Sequence, residues 1–297
     1  TKTMLTGISV VFLFVLSSTT ADKVNINKFY SDDSIAQWKA VLGDDMHYHH
    51  GVFSSEALAS PSAHLSDEEI DGAMTKAVSM LYQYIGQGTT VLDIGSGWCG
   101  PMKQLKDDLG CTVTGVTVSE SQHAHCTTNG HNVALADIED LLTSDNNNML
   151  DAKYDVALML ESITHVEDKH KLLNNLLSKT NKLVIRANTY EGEEDSKVVF
   201  GDSMQLLSLR ELRDVMEESG WRVVHSENIR QLTQPTLRAY QQRFGAKPNS
   251  STSQLAVLWD LVQHQTDADR DSSEFVRDTW QLQHGLFDIV AVPMVPN

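Results

Sequence analysis

The chain has 297 residues, of which 41% are hydrophobic, so it is long enough to bury a substantial core. Its 40 acidic and 23 basic residues give a formal net charge of −17, which argues against binding nucleic acid or an anionic membrane through a basic surface. The three cysteines, Cys99, Cys111 and Cys126, permit at most one disulfide with one free thiol. They are too few for a disulfide framework or a zinc site.

The first residues have the pattern of a secretory signal peptide. Lys2 precedes an apolar run at residues 8–16, and small residues follow up to Ala21. We therefore predict a signal peptide over residues 1–21 and entry into the secretory pathway; the protein would be cytoplasmic if this leader is not used. The run is shorter than the roughly 20 residues that span a bilayer, so we expect no integral membrane span. A signal anchor or a buried strand remains an alternative.

Residues 22–88 are predicted to form an N-terminal helical cap. The polar and aromatic stretch at residues 24–53 indicates one or two helices followed by a loop. Ser66 and Glu69 have the spacing of a capping box. The apolar residues that follow recur every three to four positions until Gly86, which predicts a helix packed against a sheet.

Residues 91–100 read VLDIGSGWCG, an apolar strand followed by a glycine-rich turn that suits a nucleoside ligand. The letters also satisfy the dinucleotide pattern G-x-G-x-x-G, so this motif leaves NAD and S-adenosylmethionine open. An NAD site would have an acidic residue about twenty positions on, where this chain has Thr117. Asp93 would repel a pyrophosphate but attract a cationic sulfonium compound. These residues favour S-adenosylmethionine as the cofactor.

Over residues 89–297 short apolar strands alternate with helices, which predicts an α/β fold with a mostly parallel sheet and helices on both faces. The predicted strands cover residues 90–94, 111–116, 132–136, 154–160, 182–187, 222–227 and 287–292. A second capping box, Ser208 with Glu211, begins the helix before the sixth strand. A polar helical insertion at about residues 231–283 is predicted either as a substrate lid or as a structural cover for the sheet edge, with helices at residues 236–244, 254–265 and 273–282.

Ligands of open α/β sheets lie beyond the carboxyl ends of the strands, so the residues that follow each strand are the candidates for the site. The candidate cofactor-binding residues after the first three strands are Asp93, Gly95, Ser96, Gly97, Trp98, Thr117, Val118, Gln122, Asp137 and Ile138. Thr117 and Gln122 offer hydrogen bonds to a ribose, although Ser119 and Glu120 can equally begin a helix. Asp137 can accept from an adenine amino group while Ile138 packs on the ring.

Glu161 and His165 follow the fourth strand, where a carboxylate and an imidazole can orient or deprotonate an acceptor. Both residues also suit an ordinary helix start, which is the structural alternative. The three histidines in the segment His47–His50 lack a companion carboxylate or cysteine pattern, so we predict no metal site there. We instead expect this segment to be part of a lid that touches the cofactor or the substrate. The candidate substrate-binding residues are Tyr48, His49, His50, Phe53, Tyr240 and Phe244.

The chain resembles the class I S-adenosylmethionine-dependent methyltransferases from about Phe29 to its C-terminus. Within them it is most similar to the branch of cyclopropane fatty acid synthase, tocopherol, sterol and sarcosine/dimethylglycine methyltransferases. The resemblance rests on VLDIGSGW at residues 91–98, on GVTVSESQ at residues 115–122, and on Glu161 and Ser162 with His165. This branch commonly has G-V-T-x-S-x-x-Q in place of an acid after the second strand.

The resemblance implies a Rossmann-like methyltransferase fold with a seven-stranded sheet. It implies that residues 95–97 line the methionine side of the cofactor, Thr117 and Gln122 the ribose, and Asp137 and Ile138 the adenine. Tyr30 and the histidine segment at residues 47–51 resemble the part that closes over cofactor and acceptor. Cys99 departs from the glycine that is frequent after the tryptophan.

We therefore expect an S-adenosylmethionine-dependent methyltransferase whose partner is a small-molecule acceptor. Carbon methylation of a lipid-like, prenyl-type or sterol-type metabolite is favoured, because the insertion carries aromatic and aliphatic residues. Nitrogen methylation of a small amine is the alternative. From other classes, a secreted binding protein that keeps this fold without catalysis and an NAD-dependent oxidoreductase stay open. The oligomeric state is not predicted.

Overall fold

Seven strands form one sheet in this computed structural model, which describes residues 33–60, 63–141, 152–190, 206–248, 253–271 and 284–294. The predicted signal peptide, Tyr30 and the predicted helix at residues 273–282 lie outside the described residues. The strands are β1 (Thr90–Ile94), β2 (Thr112–Thr117), β3 (Asn132–Leu135), β4 (Val156–Leu160), β5 (Leu183–Tyr190), β6 (Trp221–Asn228) and β7 (His284–Pro293).

The order across the sheet is β3-β2-β1-β4-β5-β7-β6. β1 lies in the middle and pairs in parallel with β2 on one side and β4 on the other. β7 is antiparallel to both of its neighbours, β5 and β6. The predicted mostly parallel α/β sheet is thus confirmed. The carboxyl ends of β1, β2 and β4 consequently meet at one edge, where the site is expected.

Helices surround the sheet and precede it. They are α1 (Ile35–Leu42), α2 (Ser55–Ala59), α3 (Asp67–Ser79), α4 (Tyr82–Ile85), α5 (Gly100–Leu109), α6 (Glu120–Thr128), α7 (Ile138–Leu141), α8 (Lys169–Leu176), α9 (Leu209–Glu218), α10 (Thr236–Arg243) and α11 (Gln254–Asp271). Both predicted capping boxes are present, Ser66 with Glu69 and Ser208 with Glu211. A third, Ser34 with Gln37, begins α1. None of the helices in the described ranges is long and apolar enough to cross a membrane.

The N-terminal helices and the insertion share one apolar core. Trp38 of α1, Met74 of α3, Trp98 after β1, Tyr240 of α10 and Leu255 of α11 are buried members of this cluster. The cap and the described part of the insertion therefore pack together beside the glycine-rich turn. This packing brings the loop after α1 close to the strand ends.

A disulfide joins the segment after β1 to the helix after β2. Cys99, the residue before α5, is bonded to Cys126 in α6, 27 positions later. Cys111 keeps a buried free thiol. Cys99 has φ +68°, a conformation that favours glycine, which gives a physical reason for the glycine that is frequent at this position.

Candidate functional site

The glycine-rich turn after β1 has the geometry of a close-approach site. Gly95 and Gly97 have φ values of +77° and +53°, and the backbone N–H groups of Gly95 and Ser96 donate to the carbonyl of Val116 at 2.9 and 3.0 Å. A Cβ on Gly95 would lie 2.5 Å from the Cβ of Ser162, whereas one on Gly97 would meet nothing within 4 Å. Ser162 therefore packs directly against Gly95, whereas the space beside Gly97 is open.

A small cavity of about 30 Å³ lies over this turn and is partly open to solvent. It is lined by Met46, Tyr48, Asp93, Gly95, Ser96, Gly97, Trp98, Pro101 and Leu160. Five predicted cofactor-binding residues thus lie together with one predicted substrate-binding residue, Tyr48. A nucleoside with an amino-acid tail needs this combination of backbone access, one acid and apolar walls.

Asp93 is the acid of this cavity, and only 2% of it is exposed. Burial raises the pKa of its carboxyl group to about 7. A cation beside Asp93 would favour the ionised form and lower that pKa again. The position therefore suits a positively charged ligand group, as the sequence predicts.

The residues after β2 form a buried hydrogen-bonded turn. The Thr117 hydroxyl donates to Oε1 of Gln122 at 2.7 Å, and the Ser119 hydroxyl accepts from the Gln122 backbone N–H at 3.3 Å. Ser119 is thus the N-cap of α6, while Val118 beside it is half-buried. The cap and a ribose contact do not exclude each other, and the ribose role of Thr117 and Gln122 stays a prediction. After β3, Asp137 is exposed and Ile138 is buried, as an adenine edge and face would require.

Glu161 follows β4 directly and is held by His50 from the N-terminal cap. The His50 backbone N–H donates to Oε1 at 2.8 Å, and Nδ1 of its ring lies 2.6 Å from Oε2. Asn188 of β5 donates to Oε2 at 3.4 Å. Burial acts to raise the pKa of Glu161, but the interactions with His50, which include two hydrogen bonds, outweigh it and lower the pKa to about 2. Glu161 is therefore a buried carboxylate that stays ionised.

The structure places the two predicted catalytic residues in different surroundings. Glu161 contacts His50, a predicted substrate-binding residue 111 positions away. His165 ends a single 3₁₀ turn, Ile163–His165, and is half-buried.

Two further histidines form a buried neutral pair behind His50. Nδ1 of His47 lies 3.0 Å from Nε2 of His49, and Nδ1 of His49 lies 3.0 Å from the His50 carbonyl oxygen. Burial lowers the pKa of His47 to about 4 and that of His49 to about 3. The described ranges contain no group of histidine, cysteine and acidic side chains that could hold a metal ion. This pair therefore serves to build the loop.

Aromatic rings surround the loop that carries these histidines. The Tyr48 ring lies 5.2 Å from Trp38 and 6.2 Å from Tyr240, and Trp38 lies 5.3 Å from Trp98. The Tyr240 hydroxyl donates to the His49 carbonyl at 2.8 Å. Of the other predicted substrate residues, Phe53 is buried in this apolar cluster and Phe244 packs against Trp259, whose ring centre is 5.3 Å away.

Several residues of the site were not predicted from the sequence. Gln254 of α11 donates to the Tyr48 hydroxyl, and Nη1 of Arg230 lies 3.2 Å from Nε2 of His50. Arg186 of β5 makes a two-pronged ion pair with Asp288 of β7, at 2.6 and 2.8 Å. A signal for this last pair was present, because opposite charges inside two apolar strands imply a buried partner. No comparable sequence pattern marks Arg230.

Comparison with known proteins agrees with this geometry. The family model described as mycolic acid cyclopropane synthetase matches residues 17–257. A tocopherol O-methyltransferase from the chloroplast of Arabidopsis thaliana is 26% identical over 171 residues, covering 54% of this chain and 47% of that protein. An O-methyltransferase, resE, of Aspergillus sclerotiorum is 25% identical over 52% of this chain and 63% of that protein. The chain thus spans about half to two thirds of the length of these curated relatives.

Solved structures share the fold. The cyclopropane synthase MmaA2 from Mycobacterium tuberculosis matches with a TM-score of 0.69 and 12% identity, over 93% of this chain and all of that one. A geranyl diphosphate C-methyltransferase from Streptomyces coelicolor A3(2) matches with a TM-score of 0.63 and 16% identity, over 91% and 96% of the two chains. At these identities the likeness concerns the fold, and the family rests on the model that covers most of the chain. The chain belongs to the mycolic acid cyclopropane synthetase family.

Proposed function

We propose that this protein is an S-adenosylmethionine-dependent methyltransferase acting on a small organic acceptor. Support comes from the family, from the open glycine turn and from the single buried acid of the cavity. Asp93, Gly95, Ser96 and Gly97 would hold the methionine side of the cofactor, and Thr117 and Gln122 its ribose. The bound cofactor would supply an electrophilic methyl group. The protein's own residues align the acceptor, exclude water and take up a proton where the reaction releases one.

The acceptor is, in this proposal, the carbon–carbon double bond of a lipid-like metabolite. The observation that carries it is Glu161, an ionised carboxylate buried at the end of β4 and next to Leu160 of the cavity wall. Methylation of a double bond leaves a carbocation, which is stabilised by aromatic faces and loses a proton to a base. Tyr48 and Trp98, which line the cavity, and Tyr240 beside Tyr48 supply such faces, and Glu161 accepts the proton.

The low pKa of Glu161 discriminates between acceptors. A carboxylate with a pKa of about 2 is a weak base, yet the proton beside a carbocation is acidic enough for it. A phenol, whose ordinary pKa is near 10, is a much weaker acid than such a carbocation and gives up its proton far less readily to this carboxylate. Glu161 therefore suits carbon methylation better than methylation of a phenolic oxygen. A neutral amine needs no base, so nitrogen methylation depends on orientation alone.

Cofactor binding is tested first, by calorimetry with S-adenosylmethionine, S-adenosylhomocysteine and NADH. Gly97→Ala has a matched control in Gly130→Ala, because both glycines have positive φ and open space around a new Cβ. The backbone strain that alanine introduces is therefore similar at the two positions, about 1 kcal/mol. We expect binding of both S-adenosyl compounds, a loss of at least tenfold in Gly97→Ala, and unchanged affinity in Gly130→Ala. Binding of NADH alone would contradict the proposal.

The acceptor is tested with a methyl-labelled cofactor over prenyl diphosphates, sterols, phenols and small amines. For an olefin we expect Glu161→Gln to lose at least a hundredfold in turnover, with the exposed Glu217→Gln as control. If only an amine is methylated and Glu161→Gln keeps full turnover, carbon methylation and the role of Glu161 are both wrong. Cofactor binding without turnover on any acceptor would favour a binding protein.

We also propose that the protein enters the secretory pathway and is cleaved near Ala21. The leader pattern supports this, and so does the Cys99–Cys126 disulfide, because such bonds persist mainly in oxidising compartments. The cofactor would then have to be supplied to that compartment. N-terminal sequencing of protein purified from its source should begin near Asp22. A mature protein that retains Lys2 would contradict cleavage.

A further inference from the structure

Arg230 lies on the far side of His50 from Glu161. It is the first residue of a 3₁₀ turn, Arg230–Thr233, that follows β6. Both backbone polar groups of Arg230 are hydrogen-bonded: its N–H donates to Asn228 Oδ1 at 3.0 Å, and its carbonyl accepts from the Thr233 hydroxyl at 2.9 Å. Only 8% of Arg230 is exposed. The guanidinium is therefore presented to the imidazole from a rigid support.

The hydrogen bonds of His50 determine which ring nitrogen carries the proton. Arginine can only donate, so Nε2 of His50, 3.2 Å from Nη1 of Arg230, must accept. A nitrogen that accepts has no proton. The single ring proton of His50 is therefore on Nδ1, where it is donated to Oε2 of Glu161. His50 is neutral in this arrangement, and the positive charge resides on Arg230.

We propose that Arg230 is a positioning residue that fixes His50 as the neutral Nδ1–H tautomer and thereby keeps Glu161 unprotonated and correctly aimed. The charge that balances Glu161 is then a guanidinium, which stays charged near neutral pH although burial lowers the pKa of Arg230 to about 10, instead of an imidazolium, which loses its charge in that range. The role of Glu161 in turnover rests on the proposed function, whereas the state of His50 does not.

Other polar and charged groups around His50 do not replace this role. Glu161, at the end of β4, is the acid in contact with it. From β5, Asn188 is uncharged, and Arg186 is engaged by Asp288 of β7. His47 and His49 of the same segment are neutral, and Tyr240 of α10 donates to the His49 carbonyl. Without Arg230, Glu161 would favour proton uptake at Nε2 of His50.

The test is imidazole ¹⁵N NMR on the cofactor-free protein, which requires neither acceptor nor turnover. In the parent protein near neutral pH we expect His50 with protonated Nδ1 and unprotonated Nε2. In Arg230→Met we expect a large fraction of His50 to carry a proton on Nε2 at the same pH, and Arg230→Lys should restore most of the unprotonated Nε2. Arg222→Met, which removes an exposed arginine of β6, should leave it unchanged.

Kinetics provide a second readout once an acceptor is known. In Arg230→Met the acidic limb of kcat against pH should move upward by about one pH unit or more, and Arg230→Lys should reverse it. If Arg230 had a merely structural role, its replacement would lower kcat at every pH and leave the midpoint of the acidic limb unchanged. A parent protein with the proton on Nε2 overturns the proposal even if Arg230→Met does not fold. An Nε2 of His50 that stays unprotonated in folded Arg230→Met overturns it too. Absence of turnover with the expected NMR result contradicts the proposed function alone.

Discussion

Glu161 adopts a left-handed backbone conformation, with φ +59°, although it carries a side chain. Such a conformation costs on the order of 1–3 kcal/mol and persists only where the surroundings hold it. Here the surroundings are the His50 backbone and ring, which bind both carboxylate oxygens. The strain is therefore located at the residue to which we assign the proton transfer, and the N-terminal cap maintains it.

The carboxyl group of Asp93 should make cofactor affinity depend on pH. Its folded-state pKa of about 7 leaves it protonated at lower pH, and a cationic ligand binds the ionised form. We expect the affinity for S-adenosylmethionine to rise by up to about tenfold per pH unit from pH 5.5 to 7. Calorimetry across this range checks it. Asp93→Asn should bind more weakly and without this dependence, while the exposed Asp214→Asn should behave like the parent; equal pH profiles in all three would contradict the assignment.

At the scale of elements, the Cys99–Cys126 disulfide connects two sides of the proposed cofactor site. Cys99 directly precedes α5 after the glycine turn, and Cys126 lies in α6, whose first turn contains Gln122. Sγ of Cys126 also lies 3.5 Å from the carbonyl oxygen of Gly97. The bond therefore fixes the turn relative to the helix, in addition to constraining the unfolded chain.

Loss of this bond should lower both stability and cofactor affinity. For a closed loop of 27 residues the chain-entropy estimate is about 3–4 kcal/mol. We expect Cys126→Ser, or reduction with a phosphine, to lower the free energy of unfolding by this order and to weaken S-adenosylmethionine binding several-fold. Denaturant titration and calorimetry measure these effects. Cys111→Ser keeps the disulfide and is the control for removing a buried thiol; a reduced protein with unchanged stability and affinity would contradict the prediction.

At the scale of the whole molecule, buried ionisable groups determine how stability varies with pH. His47 and His49 have folded pKa values of about 4 and 3, so below pH 6.5 the unfolded chain binds two protons that the folded chain does not. The pKa of Asp93 is raised from 3.8 to about 7, so between these two pH values the folded chain binds one proton there that the unfolded chain does not. These three groups together give one proton in favour of the unfolded state between pH 4.5 and 6, and Glu161, whose folded pKa is about 2, adds to this difference at the acidic end. Stability therefore rises with pH in this interval.

The expected slope is about 1.4 kcal/mol per pH unit, and the half-exposed His125 and His131, whose pKa values are lowered by burial, add to it. Urea unfolding of the cofactor-free protein at pH 4.5, 5, 5.5 and 6 measures this slope. Asp93→Asn should steepen it to about 2.7 kcal/mol per pH unit, because the opposing proton is lost. The exposed His64→Asn should leave it unchanged. A slope of zero or of opposite sign would show that the histidine pair is not buried in the neutral form.

Most of the sheet could be predicted from the sequence, because its signals are local. The first strand was predicted with its observed limits, Thr90–Ile94, and the two capping boxes mark helix starts. Small differences occur at element ends. β4 begins at Val156, since Tyr154 belongs to an isolated bridge with Thr180, and α11 continues to Asp271 beyond its predicted end.

Features that depend on distant residues could not be predicted in the same way. The position of β7 between β5 and β6 is a property of strand order, which alternation of apolar residues does not encode. The Glu161–His50 contact joins residues 111 positions apart, and Arg230 is 180 positions from His50. The sequence placed Glu161 correctly at a strand end, but its partner is determined by how the cap packs over the sheet.

The antiparallel strand β7 has a consequence for the order in which the protein can be completed during synthesis. β6 is synthesised before β7, but it joins the sheet only by pairing with β7, because β7 lies between β5 and β6. Arg186, fully buried in β5, likewise obtains its ion-pair partner Asp288 only 102 residues later. A growing chain that ends before residue 284 therefore contains an edge strand without its neighbour and a guanidinium without its counter-charge. The part of the sheet formed by β5, β7 and β6 can therefore be completed only after the residues of β7 have been synthesised.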